Sequence, residues 1–359
     1  MSEAAHEAAP AVAAKAAATA RLEAQAWRYA SRIVLALVIA FVLAWMGYKA
    51  SGSGQVFVVV GLNALTLAGL YFIVASGFSL IFGLMRVVNM AHGSFYMLGG
   101  FIAFELVDKF SGDVSTSGFS STTGFGDWIL ALVVASIVIG VIGLVMQQLF
   151  LRWNQGQELR QALITIAASI IIADQVLGHF GGIADEIPIP EVFPDSVSVG
   201  VFGISYPFFR IFVLAIAVAV GLLLWGMIRR TRMGMIIRAG VDDRPMVEAL
   251  GINVPIVFAA TFFIGSLLAG MAGVLGGTMI SVDKSNDVEY LLASLIVVII
   301  GGMGSLGGAA VGALLYGLVD SYGDVYLPAG YENYSDLVIF ALLVLVLAVR
   351  PHGLFGRPA

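Results

Sequence analysis

The sequence of 359 residues contains no cysteine, which excludes disulfides, thiolate metal sites and a cysteine nucleophile. Charge is scarce, at 11% of residues. The four histidines, His6, His92, His179 and His352, stand far apart and form no metal-ligand spacing. A Gly-x-x-x-x-Gly-Lys phosphate loop is missing too, so the chain is read as holding no nucleotide, no metal and no cofactor of its own. What it has in quantity is apolar surface. Hydrophobic residues make up 60% of the chain and the mean hydropathy is +0.98. Soluble domains stay near half apolar, and several runs here approach the roughly 20 residues that cross a bilayer. The reading is an all-α, polytopic membrane protein. The 43 glycines suit helices that must pack closely in lipid.

Residues 1–31 are Ala-rich with mixed charge, and read as a disordered or surface-helical cytoplasmic extension. A cleaved signal peptide competes, with the run 33–46 as its apolar core and Ala50 before the cut. The long leader with Glu3, Glu7 and Glu23 favours an uncleaved first span. Residues 32–357 form the membrane domain. After the first span its apolar segments are 56–82, 92–106, 128–150, 163–176, 207–228, 252–280, 290–300, 303–319 and 337–349. That makes about 8–10 transmembrane or half-membrane helices. The segment 290–300 is short for a full span and reads as a half-span or re-entrant turn, which is tolerated only inside protein or beside a water-filled cavity.

With the N-terminus in the cytoplasm and ten crossings alternating, only Lys49, Lys109, Arg210 and Lys284 of the 18 Lys and Arg fall outside. That is a clear positive-inside bias, and it places both termini in the cytoplasm. The loop 229–251 gathers five of the arginines. Arg229, Arg230 and Arg232 suit anionic lipid headgroups. Beyond them, Asp242 or Asp243 can cap a helix, Pro245 fits its first turn and Gly251 supplies a stop. A helix of about two turns is marginal in water and needs a surface to lie on. The readings are a helix docked to a partner, or a plain structured loop.

Other motifs divide similarly. Asn89, His92 and Gly93 sit between two apolar stretches, either lining a pathway or capping a helix end. Gly302, Gly304 and Gly307 after 295–300 imitate a dinucleotide fingerprint with Asp320 as the ribose acid. No second strand pattern follows, and Gly308 and Gly312 fit small-residue helix packing better. Such interrupted helices flank transporter sites. Ser79 with His92 or His179 is the sparse pattern of an intramembrane hydrolase. Glu105, Asp174 and Asp320 fall near span ends as interface residues. The lack of mid-span acids or bases argues against an ion-coupled carrier complete in one chain.

The run 69–100, the loop 234–254, the glycine-rich 301–313 and the ending 350–356 together resemble permease subunits of branched-chain amino-acid ABC importers. Asn89, His92 and Gly93 make the H-type the nearer form. The order and spacing fit from about residue 56 to 357, and the first span and leader depart from the family's shorter form. Urea and short-amide importers share these patterns, and remain the alternative substrate class. The resemblance implies a bacterial inner-membrane, non-enzymatic subunit. It implies two cytoplasmic ATPases that hydrolyse the ATP, a second identical or homologous permease subunit and an extracytoplasmic binding protein. It also implies that Arg238, Asp242, Asp243, Arg244, Met246, Glu248, Leu250 and Gly251 form the helix that couples to an ATPase. Asn89, His92, Gly93, Gly302, Gly304 and Ser305 would form the pathway junction.

Overall fold

A computed structural model describes residues 52–86, 88–111, 123–200, 203–242, 244–327 and 334–356. The 1–31 extension, the run 33–46 and Asp243 lie outside the described residues. For Arg238, Asp242, Arg244 and Glu248 the description is of the backbone alone. The helices are α1 (Gly54–Met85), α2 (His92–Ser111), α3 (Phe125–Met146), α4 (Glu158–Phe180) and α5 (Phe208–Arg230). They continue with α6 (Arg232–Asp242), α7 (Arg244–Ala249), α8 (Val254–Met279), α9 (Asn286–Gly301), α10 (Leu306–Tyr326) and α11 (Ser335–Val349). A small antiparallel hairpin, β1 (Val197–Val199) and β2 (Ile204–Tyr206), joins α4 to α5.

Among the described residues, the nine apolar segments after the first span all appear as helices, and five of these are long and apolar enough to span a membrane. The segments 290–300 and 303–319 become α9 and α10, bent by 118° at Gly302–Ser305, so they make one broken span or a re-entrant loop. Two of the ten nominal crossings are therefore parts of one unit. Helix α2 carries Glu105, Asp108 and Lys109 in its last turns, and α11 has only 15 residues.

α1 is the axis of the fold. It has 32 residues, roughly 48 Å at 1.5 Å per residue. It is apolar around its circumference, as a helix enclosed by others should be, and its second half is almost wholly buried. Helices α5, α8, α9 and α10 pack on it. α8 is the second central helix, lying against α1, α2 and α3. By contrast, α4 shows Leu159, Leu163, Ile170 and Ile171 to its surroundings, which suits contact with lipid or another membrane chain.

Two polar links fix the end of the bundle away from the arginine-rich loop. Trp128 Nε1 donates to Thr278 Oγ1 at 3.0 Å, joining α3 to α8. Asn63 Oδ1 accepts from Tyr206 Oη at 2.9 Å and from Arg210 at 2.7 Å, joining α1 to the hairpin and α5. The segment after α4 lies across the end of α8: Ile187 N donates to Gly277 O, and Asp185 and Val282 exchange backbone bonds of 2.9 and 2.7 Å.

Candidate functional site

The chain leaves α1 at Arg86, whose φ of 52° is the left-handed exit from the helix. By His92 it has climbed back beside Val74, about three turns up α1. α2 therefore starts inside the bundle, and the junction is no exposed cap. His92 Nε2 donates to Val74 O at 2.9 Å, leaving Nδ1 buried without a partner. Its ring also meets Phe78 edge-on at 5.4 Å. Asn89 Oδ1 accepts from Ala91 N at 3.1 Å, while its Nδ2 is buried and unpartnered. Met90 N donates to Thr165 Oγ1 and Ser94 pairs with Ser169, so α4 closes the junction's flank. Gly93 is dictated by space: a Cβ there would fall 1.7 Å from the Asp287 carbonyl oxygen of α9. The hydrolase reading gains no support from His92, whose bonded nitrogen faces Val74.

The second glycine-rich motif makes the α9–α10 turn. Gly302 and Gly304 have φ of 103° and 80°, which only glycine adopts without strain. Ser305 caps α10, its Oγ accepting from Gly308 N at 3.0 Å. The dinucleotide resemblance fails because the preceding apolar run is helix, not strand. Gly308 and Gly312 pack on α9, where a Cβ on either would stand 2.2 Å from the carbonyl oxygens of Gly301 and Val297. The chain's ending straps the turn: Leu354 N and Phe355 N each donate 2.9 Å bonds, to Ile300 O and Gly301 O.

The arginine-rich loop holds the expected two-turn helix, α7, ended by Gly251 at φ 77°. The loop also holds α6, an amphipathic helix that the capping signals did not reveal. Ile237 and Val247 are buried against Leu80, Leu84, Val254, Val257 and Phe258, at the ends of α1 and α8. Met246 and Leu250 point away, 58% and 68% exposed, as does Met235 of α6. Arg229 and Arg230 lie over the Trp225 ring, at 5.2 and 5.9 Å.

The last turns of α1 join these parts. Leu80 and Leu84 seat α6 and α7, and Gly83 touches Gly304 of the α9–α10 turn. Sequence reasoning had no sign of that convergence, because the residues come from segments more than 50 positions apart. The acids expected at span ends also divide. Asp174 is exposed, and Glu105 pairs with Lys109. Asp320 instead sits beside Tyr71, midway along α1, inside the bundle.

Residues 60–347 match the family described as branched-chain amino acid transport system / permease component. The chain is 33% identical to the high-affinity branched-chain amino acid transport system permease protein BraD of Pseudomonas aeruginosa, over 83% of this chain and 95% of that one. It is 31% identical to LivH of Escherichia coli, over 82% and 94%. To LivM of Escherichia coli it is 25% identical, over 82% and 69%. No solved structure matches it.

Proposed function

Because the chain belongs to the family of branched-chain amino acid transport permease components, we propose that it is the H-type permease subunit of an ATP-driven importer of apolar amino acids. The higher identity to BraD and LivH than to LivM supports the H-type reading. In this reading the arginine-rich end is cytoplasmic, by the distribution of basic residues. Two ATPase subunits, a second permease subunit and an extracytoplasmic binding protein complete the machine.

One observation carries the mechanism: α7 has two apolar faces with different fates. Val247 is seated on α1 and α8 while Met246 and Leu250 stand exposed. A six-residue helix fixed on one side and apolar on the other is built to fit a partner's groove. Motion of the partner passes through Val247 and Ile237 to the end of α1. The Gly83–Gly304 contact then carries it to the α9–α10 turn. Helices broken inside a bundle can shift as units, which suits a pathway that opens alternately to either side.

The test is reconstitution. ATP-dependent leucine uptake is expected in liposomes only when the ATPases and binding protein accompany the permease pair. Uptake by this chain alone under an ion gradient sinks the reading.

A further inference from the structure

We propose that Asp320 and the tyrosines around it form a subsite for the ammonium group of the transported amino acid, a refinement that rests on the function proposed above. Four tyrosines from four helices meet here: Tyr71 of α1, Tyr96 of α2, Tyr290 of α9 and Tyr316 of α10. Each is at most 7% exposed. Tyr71 and Tyr316 meet edge-on at 4.5 Å, Tyr96 stacks on Tyr290 at 3.7 Å, and Tyr71 lies 5.8 Å from Tyr290. Asp320 projects from α10 into this array, facing the Tyr71 hydroxyl, with Tyr290 and Tyr316 as further neighbours.

Two independent features say that the array is incomplete. Asp320 has no ion-pair partner among the described residues, and its charged neighbours Asp324, Asp336 and Glu289 are all acids. A carboxylate drawn inside a membrane protein without a counter-ion is costly and marks a functional position. Separately, the Tyr96 hydroxyl is fully buried beside Tyr290 and makes no hydrogen bond of good geometry among the described residues. A donor-bearing cation beside the Tyr71 hydroxyl supplies the missing partner of the carboxylate. An ammonium offers three N–H donors for Asp320 and a phenol oxygen, and its charge is attracted to aromatic faces. The aliphatic side chain of such a substrate would find tyrosine rings rather than water. A neutral amide has no use for the negative field.

The experiment is leucine uptake by the complete importer in proteoliposomes. Asp320→Asn is expected to lower uptake by about tenfold or more, with unchanged complex assembly, and Asp320→Glu to restore part of it. Uptake within about twofold of wild type by Asp320→Asn overturns the assignment. Should that variant fail to assemble, Tyr71→Phe removes only the hydroxyl facing Asp320 and is expected to lower uptake; full uptake by it overturns the assignment equally. Runs in sodium, potassium and choline chloride separate substrate ammonium from an inorganic cation. Equal rates are expected. A wild-type requirement for sodium or potassium that disappears in Asp320→Asn overturns the ammonium assignment in favour of a metal cation. A wild-type complex that moves no leucine counts against the proposed function instead.

Discussion

Gly83 and Gly304 meet backbone to backbone: a Cβ on Gly83 would stand 2.9 Å from the Gly304 Cα. The contact leaves no side chain to give way, so bulk added there must part α1 from the α9–α10 turn. Gly83→Val is expected to destabilise the protein by about 1–3 kcal/mol, the usual cost of overpacking. Thermal unfolding in detergent measures it. An unchanged melting temperature would mean that the two elements separate freely.

Neighbouring positions of α7 are predicted to behave oppositely. Met246→Asp and Leu250→Asp alter exposed side chains, and should leave folding intact while uncoupling ATP hydrolysis from uptake. Val247→Asp buries a carboxylate among Leu80, Leu84 and Phe258, and should lower the yield of folded protein, since an unpaired buried charge is costly. Size-exclusion profiles and coupled transport assays distinguish these outcomes. Tight coupling in both Met246→Asp and Leu250→Asp would remove α7 as the transmitting element.

Most helices were legible because apolar runs have one dominant meaning at this hydropathy. The bend at Gly302–Ser305 was foreshadowed by the short run 290–300 and the glycines after it. The depth of His92 was not, because climbing back beside Val74 depends on contacts with α1 and α4 that leave no periodic trace. Helix α6 escaped for a different reason. Arg232 reads as a lipid anchor and Arg238 as part of the coupling helix, and nothing local says that Ile237 seats between α1 and α8. The four tyrosines around Asp320 lie on separate segments, so no spacing marks them as a set.

The junction offers a direct test of its own. His92→Ala removes the donor to Val74 O, and Asn89→Ala removes the acceptor that holds Ala91 N. Both variants are expected to assemble and to transport more slowly, as the start of α2 loosens. Wild-type uptake rates in both would confine these residues to a structural role.

At the other end of the bundle, Asn63 accepts from two donors, of which Tyr206 also meets Thr66 Oγ1 at 3.1 Å. Asn63→Leu takes this acceptor from the Arg210 guanidinium and leaves the Tyr206 hydroxyl with Thr66 alone. A loss of about 2–3 kcal/mol is expected, since one bond involves a charged donor. Chemical denaturation of purified protein measures it, and a loss below about 0.5 kcal/mol would show that water replaces the amide fully.

Two loop acids near the Asp185–Val282 bridge should give opposite pH responses. Hydrogen bonds from Ser285 hold the Asp283 carboxyl below its ordinary range. Its contribution to stability is present above the unfolded value of about 3.9 and lost as pH falls through the lower folded value. Burial, with repulsion from Asp108, raises the Asp185 carboxyl. Its contribution is present below that unfolded value and lost as pH rises through the higher folded one. Melting temperatures across about pH 3–7 should show Asp283→Asn softening the acid loss and Asp185→Asn removing a decline on the alkaline side. Parallel curves for the variants and wild type would contradict both assignments.

The bonds from Leu354 and Phe355 to Ile300 and Gly301 set an order for biosynthesis. The strap leaves the ribosome roughly fifty residues after the turn that it closes. Until it arrives, those two carbonyls lack their final partners and the α9–α10 hairpin is unfinished in the bilayer. A nascent chain cut short after α11 would carry all the helices described above and still present an open, polar turn.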